Sequence, residues 1–334
     1  MAAAAIPLHA RAARRRRVIV EHLEAYLFLA PALILIVLFH VVPAIAAFIM
    51  SLTRWGVIYE RWAWLENYGA ILDPGGSRFG EFVNALGVTI WYVALTVPVE
   101  MVIALVLAYV LYQGTFGRGA YRVVYFMPYI TSVVAAATIF EWIFDANFGF
   151  LNFLLGLVGI GPQAWLREPR GLFELVASAI GVALPAGLAG PSLSLVAVSL
   201  FTVWHFVGFQ TVIFLAGLTN ISREYYDAAR IDGAGDWQLL RRITLPLLSP
   251  TIFFVAIIAT VGAMRSFSQI YVLTAGGPLD TTRTVPLLIF RTFFERTAVN
   301  GIGLGSAMSF VFVVIIIAIT LIQFRVLGRR VFYG

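Results

Sequence analysis

The chain of 334 residues contains no cysteine and no lysine. Without cysteine there is no disulfide framework and no thiolate metal site. Without lysine there is no P-loop, because that loop needs its lysine on the nucleotide phosphates. An ATP-driven process in which this chain takes part must therefore draw its motor from another polypeptide. Charge is also scarce, at 12% of residues against 61% hydrophobic. A soluble domain carries about 25% charged residues, so this composition reads as an integral membrane protein. The four histidines, His9, His22, His40 and His205, are scattered and form no metal-ligand cluster. No nucleophile elbow is present, so a membrane enzyme has little to rest on and no catalytic residue is assigned. The net charge of +6 comes from arginines at the flanks of apolar runs. Membrane orientation explains that placement better than nucleic acid does.

The apolar runs predict an all-α polytopic membrane protein with six transmembrane helices. Residues 1–24 are Arg-rich (Arg11, Arg14, Arg15, Arg16, Arg17) and read as a cytoplasmic N-terminal segment. The uncharged run 25–50 is too long for a signal peptide and spans a bilayer, which takes about 20 residues. Further spans are expected at about 86–112, 123–144, 192–218, 251–273 and 302–324, making 25–334 one transmembrane domain. The loop 51–85 carries Trp55, Tyr59, Trp62, Trp64 and Tyr68 and reads as an interfacial aromatic belt, with a docking surface for an external protein as the sharper alternative. Leu175 to Ile221 holds 47 uncharged residues, room for two spans. Arg223, Arg230, Arg241 and Arg242 follow it, so the next loop should be cytoplasmic, like the N-terminus. Parity then allows one span there, 192–218. The stretch 172–190, broken by Pro185, Gly187, Gly190 and Pro191, becomes an external apolar segment. This topology puts 14 arginines inside, 8 outside and Arg265 at depth, with the C-terminus also cytoplasmic.

The stretch from Ser222 to Pro250 is a polar island between two uncharged runs. It reads as two short helices around a glycine break. Ser222 is placed to cap the first helix, and Glu224 and Asp227 suit its positive end. Asp227 lies one turn from Arg223 and from Arg230, where charges can pair. Gly233 and Gly235 end the helix, Asp236 is placed to cap a second, and Pro246 and Pro250 close it. The pattern Asp227-Ala228-Ala229, then Gly233, then Ile243-x-Leu245-Pro246 resembles the EAA loop of ABC importer permeases, met over its full spacing of EAA-x3-G-x9-I-x-L-P. Asp227 stands where that family carries glutamate, one methylene shorter. Phe126-Met127-Pro128, Phe148-Gly149-x-Leu151-Asn152 and Leu273-Thr274-x-Gly276-Gly277-Pro278, with Thr281 and Thr282, resemble the carbohydrate-importer type.

That resemblance covers about residues 23–330, apart from 172–190, and implies a type I ABC importer permease fold. It implies that Tyr225, Asp227, Ala228, Ala229, Gly233, Ile243, Leu245 and Pro246 couple the chain to a separate ATPase dimer through the cytoplasmic loop 220–250. It implies a second homologous permease subunit, with a heterodimer favoured, and an extracytoplasmic sugar-binding protein. ATP and Mg would belong to the partner ATPase, and no cofactor or metal to this chain. The location implied is a bacterial or archaeal cytoplasmic membrane. The solute would be a di- or oligosaccharide, or a polyol phosphate. A sugar crossing a bilayer needs polar groups at depth, since each hydroxyl that loses water must regain a hydrogen bond. Glu100, His205, Gln210, Arg265, Ser268, Gln269 and Tyr271 are the candidates for that pathway. The competing reading is an ion-coupled secondary transporter working without an ATPase, with Glu100 and Arg265 as a charge relay.

Overall fold

Hydrocarbon offers the backbone no hydrogen-bond partners, so a chain this apolar satisfies its amides internally, as helices. The computed structural model describes residues 8–114, 118–185, 187–295 and 300–331. Residues 1–7 of the Arg-rich segment and Arg296 lie outside them. The chain begins with α1 (Leu8–Ile36) and α2 (Val42–Ser51), joined without a break by a π turn at Val37–Val41. The turn has a local cause. Pro43 has no N–H to offer the carbonyl four residues back, and the helix widens just before it, with Val42 N–H reaching Val37 O.

The loop after α2 corrects the all-helical expectation. It contains a small antiparallel hairpin of β1 (Thr53–Trp55) and β2 (Tyr59–Trp62), with Thr53 opposite Trp62 and Arg54 opposite Arg61. Outside the apolar runs the backbone can bond elsewhere, and here asparagines serve it. Asn67 donates to the carbonyls of Ser51 and Thr53, and Asn300 accepts from Trp55 N–H at 2.8 Å. Asn300 also donates to Asn67 at 2.7 Å, which fastens the hairpin to the start of the last helix.

There follow α3 (Glu66–Leu72), α4 (Ser77–Tyr112), α5 (Arg118–Ile130), α6 (Val133–Ile143), α7 (Phe150–Leu157), α8 (Leu172–Ala179) and α9 (Leu193–Thr219). After the island come α13 (Ser249–Met264), α14 (Ser268–Thr274), α15 (Val285–Phe294) and α16 (Gly301–Leu327). The island itself holds α10 (Arg223–Ile231), α11 (Asp236–Leu239) and α12 (Leu245–Leu247). Among the described residues four helices are long and apolar enough to cross a membrane: Val20–Ser51, Ser77–Tyr112, Leu193–Thr219 and Gly301–Leu327. Two further candidates are bent pairs. Gly119–Ile130 meets Val133–Ile143 at 95°, and Asp236–Leu247 meets Ser249–Met264 at 65°. The expected third span is thus broken at Thr131 and Ser132, and the expected fifth stops at Met264 before resuming at Ser268.

The centre of the bundle is α4 against α9. Ala104, Ala108 and Leu111 repeat at i, i+4 and i+7 on α4 and are buried with Phe214 and Leu218 of α9. Small residues at such a seam let backbones approach, the main source of helix association in lipid. Gly208 serves the other side of α9. A Cβ there would run into the backbone carbonyl of Tyr125, so α5 can cross α9 only at a glycine.

Candidate transport pathway and coupling loop

Two pairs of polar side chains bridge α4 and α9. The hydroxyls of Tyr92 and Thr202 are 2.7 Å apart, and Gln210 Nε2 donates to Glu100 Oε2 at 2.6 Å. Each pair joins residues 110 apart in sequence, so the helices run parallel and in register. Thr202 gives its own proton to the carbonyl of Val198, so Tyr92 donates to Thr202. Tyr92 in turn accepts from Gln269 Nε2 at 2.9 Å.

Glu100, Thr202 and Gln210 face a cavity of about 280 Å³, walled also by Tyr129, Phe209 and Ser266. Tyr129 and Phe209 stack with ring centroids 4.6 Å apart. Gln210 Oε1 is buried without a hydrogen-bond partner among the described residues, although a buried acceptor costs about 1–3 kcal/mol when left unmade. The cavity is therefore apolar and aromatic on its walls, with an unused acceptor beside a carboxylate. On α13 it is bordered by Gly262, before which the space is open.

The candidates from the sequence divide accordingly. Glu100 and Gln210 come together in the cavity, and Gln269 joins the polar network at its edge through Tyr92. His205 is buried against Phe201, 5.7 Å between ring centroids, and does not line the cavity. Arg265 ends α13 and is exposed, Ser268 opens α14 on the surface, and Tyr271 stacks on Phe267 at 5.4 Å. The expected relay between Glu100 and Arg265 is corrected. Glu100 bonds to Gln210, and Arg265 makes no ion pair among the described residues. Sequence reasoning passed over Tyr92, Thr96 and Thr202. The signal was available, since Tyr92, Thr96 and Glu100 recur every fourth residue and mark one polar, buried stripe of α4.

At the far end of α9 the island folds largely as its residues dictate. Ser222 Oγ accepts the N–H of Glu224, and Gly233 takes φ +83°, a left-handed turn that glycine adopts without penalty. The second cap differs from expectation. Gly235 precedes α11 and its N–H bonds Gln238 Oε1 at 3.2 Å, which leaves Asp236 inside the first turn. A π turn at Leu240–Thr244 precedes Pro246, the same response to a missing proline N–H as at Pro43. Tyr226 pins the island to the bundle. Its ring lies 6.3 Å from that of Tyr112, and its hydroxyl is 3.2 Å from Thr244 Oγ1. Burial there pushes its hydroxyl pKa upward.

The opposite face of the island is uncovered. Tyr225, Ile231 and Trp237 are exposed, Ile231 by 86%. Ala228 is exposed, Ala229, Ile243 and Leu245 are half-buried, and Pro246 is exposed. Asp227 pairs with neither Arg223 nor Arg230. All three line a crevice of about 730 Å³ between α10 and the end of α4. No group of three metal-ligating side chains occurs among the described residues.

Residues 69–333 match the family described as "Binding-protein-dependent transport system inner membrane component". The chain belongs to that family. It is a multi-pass permease subunit of an ABC transporter and not an enzyme. It is 33% identical over 319 residues to the probable ABC transporter permease protein YesP of Bacillus subtilis, covering 94% of this chain and 93% of that one. The trehalose/maltose transport system permease protein MalF of Thermococcus litoralis is 29% identical over 91% of this chain and 93% of its own. In fold the permease resembles a chain of a crystallised bacterial ABC transporter that imports the acidic polysaccharide alginate, with a TM-score of 0.72 at 20% identity, covering 95% of this chain and 99% of that one.

Proposed function

We propose that this permease imports a sugar of di- or oligosaccharide size, received from an extracytoplasmic binding protein and driven by a separate ATPase. Six spans are assigned, with the bent pair α5–α6 counted as one, Ser249–Met264 forming the fifth after the cytoplasmic island, and both termini in the cytoplasm. The parallel run of α4 and α9 supports this count, because an odd number of crossings must lie between parallel spans. The broken pair α5 and α6 supplies that crossing. A second homologous permease subunit covers the exposed flank, and ATP and Mg reside in the partner ATPase dimer. The relative named for trehalose and maltose supports the sugar class.

The observation that carries the proposal is the placement of both candidate sites on one element. The 27 residues of α9 hold Gln210 in the cavity and end, at Thr219, directly before the island. Closure of the ATPase dimer would draw α10 and the exposed Tyr225, Ala228 and Ile231 with it. The α4–α9 pair would tilt as a rigid body, re-exposing the Glu100–Gln210 cavity to the other side. Within the cavity the stacked Tyr129 and Phe209 present an apolar face suited to a pyranose ring, and Gln210 Oε1 offers a hydroxyl its hydrogen bond.

Gly233→Pro or Ala229→Glu should abolish transport while leaving the chain inserted and the bundle folded. Normal uptake by either variant with the ATPase still bound would refute the coupling assignment. Glu100→Leu should lower apparent substrate affinity about tenfold or more, the loss of a buried hydrogen-bonding group. An unchanged KM would remove the cavity from the pathway.

A further inference from the structure

The segment between α7 and α9 contains an apolar helix, α8, for which neither the pathway nor the coupling loop has a use. It is built, not loosely attached. Gly171 and Ser192 form a bridge, Leu172 N–H bonds Pro191 O, and Leu193 N–H bonds Arg170 O, which closes the segment at its neck. Gly171 packs so closely on the Ala189 carbonyl that no side chain fits there, and Gly190 lies under the ring of Phe173 with φ +74°. Phe173 meets the edge of Trp91 on α4, ring centroids 6.4 Å apart.

Phe173, Val176 and Ile180 recur at i, i+3 and i+7 and are all exposed, Ile180 by 72%. Ser178, the exposed hydroxyl of this helix, gives its proton back to the carbonyl of Leu175 at 2.8 Å and lines a crevice with Glu174, off this face. The one charged residue of the helix, Glu174, is half-buried and faces the crevices beneath the segment. Depth is set by α4. From Tyr112, at the island end, to Trp91 is 21 residues, roughly 30 Å at helical rise. That equals the hydrocarbon thickness of a bilayer. Trp91 therefore stands at the boundary opposite the coupling loop, where tryptophan is enriched. Ile90 and Trp91 of α4 are exposed at that boundary, so the lipid-facing band of the span runs directly into α8.

We propose that α8, with Ile180 and Val182 after it, is an interfacial anchor that lies in the headgroup–acyl boundary of the leaflet opposite the coupling loop. Its partner is phospholipid: an uncharged apolar face with no outward donor or acceptor fits acyl chains and has nothing to offer a polar protein surface. Naming that leaflet the outer one rests on the topology proposed above. The anchor would hold the outer end of α4 at fixed depth while the α4–α9 pair tilts.

The absence of cysteine permits a direct test. Val176→Cys and Ile180→Cys are each spin-labelled in the purified transporter complex, in phosphatidylcholine–phosphatidylglycerol nanodiscs. The unsubstituted complex sets the labelling background. Gly161→Cys, on the exposed loop before α8, is the aqueous reference. Oxygen should relax the labels at 176 and 180 several-fold more than a soluble nickel chelate does, and the reverse should hold at 161. Chelate-dominated relaxation at 176 and 180 would place them in water, and negligible access to both would place them against protein. Either outcome overturns the anchor. Orientation is scored separately by an impermeant maleimide on Gly161→Cys in intact cells. Labelling only after cell breakage would invert the topology and leave the lipid contact standing.

Discussion

The first span and α9 look alike in composition and behave differently in the fold. Both are long apolar helices, the first with Glu21 and Glu24 at its start and the second with no charged residue. In the most apolar window of Val20–Ser51 no residue is buried by the rest of the chain, whereas in Leu193–Thr219 the share is 61%. Through that window the first span turns its side chains to lipid or to another subunit and needs only to be apolar, and only its last turns pack on α16, with Phe48 against Phe310. The second carries Ser194, Ser199, Thr202, His205, Gln210 and Thr211, all buried. Polar side chains inside a span cost free energy unless protein meets them, so they mark the helix around which the others assemble. Exposure of apolar surface means little in hydrocarbon, and polarity at depth means a great deal.

Three experiments can break or sharpen this contrast. The largest effect is expected from Gly208→Leu. The new side chain would have to displace the Tyr125 backbone, and overpacking of this kind costs about 3 kcal/mol or more. The yield of monodisperse protein in mild detergent should collapse, while Ala32→Leu in the first span leaves it unchanged. Equal yields would erase the distinction between the two helices. A middle effect is expected from Tyr92→Phe, which strands Gln269 Nε2 without its acceptor at a cost of about 1–3 kcal/mol. Adding Gln269→Leu should restore part of the lost thermal midpoint, since the stranded amide is then removed and only the Thr202 contact stays broken. A double variant worse than the single would show that packing, not the hydrogen bond, matters there. The smallest effect is expected from Leu35→Ala in the first span, within about 0.5 kcal/mol in the same thermal assay. A large loss would mean that the first span is held by a contact outside this chain.

The island was the most legible part of the molecule. The Ser222 cap and the Gly233 turn are properties of a few neighbouring residues, and local rules find them. The miss at Asp236 was also local. Gly235 and Gln238 satisfy the same amides, and a one-residue shift of a cap costs little. Glu100 and Gln210 were recognisable singly as polar residues at depth, but not as partners, because 110 residues separate them. Arg265 and His205 carried the same sequence signal and fell elsewhere. One ends a helix on the surface, and the other fills aromatic core. The 95° bend between α5 and α6 had only Pro128 to announce it, and Pro31 and Pro98 sit in helices that carry on.

The sequence by itself determined that the chain lives in a membrane, roughly where its apolar runs lie, and which loop carries the permease motif. Transfer from water depends on summed composition, and caps and turns depend on near neighbours, so both can be read along one dimension. Only the tertiary structure decided that α4 and α9 run in register, that Glu100 answers Gln210 and not Arg265, and that α8 lies with its apolar face uncovered beside Trp91. Those outcomes depend on which helices can approach closely, and that is settled by small residues such as Ala104, Ala108 and Gly208 acting across the whole bundle.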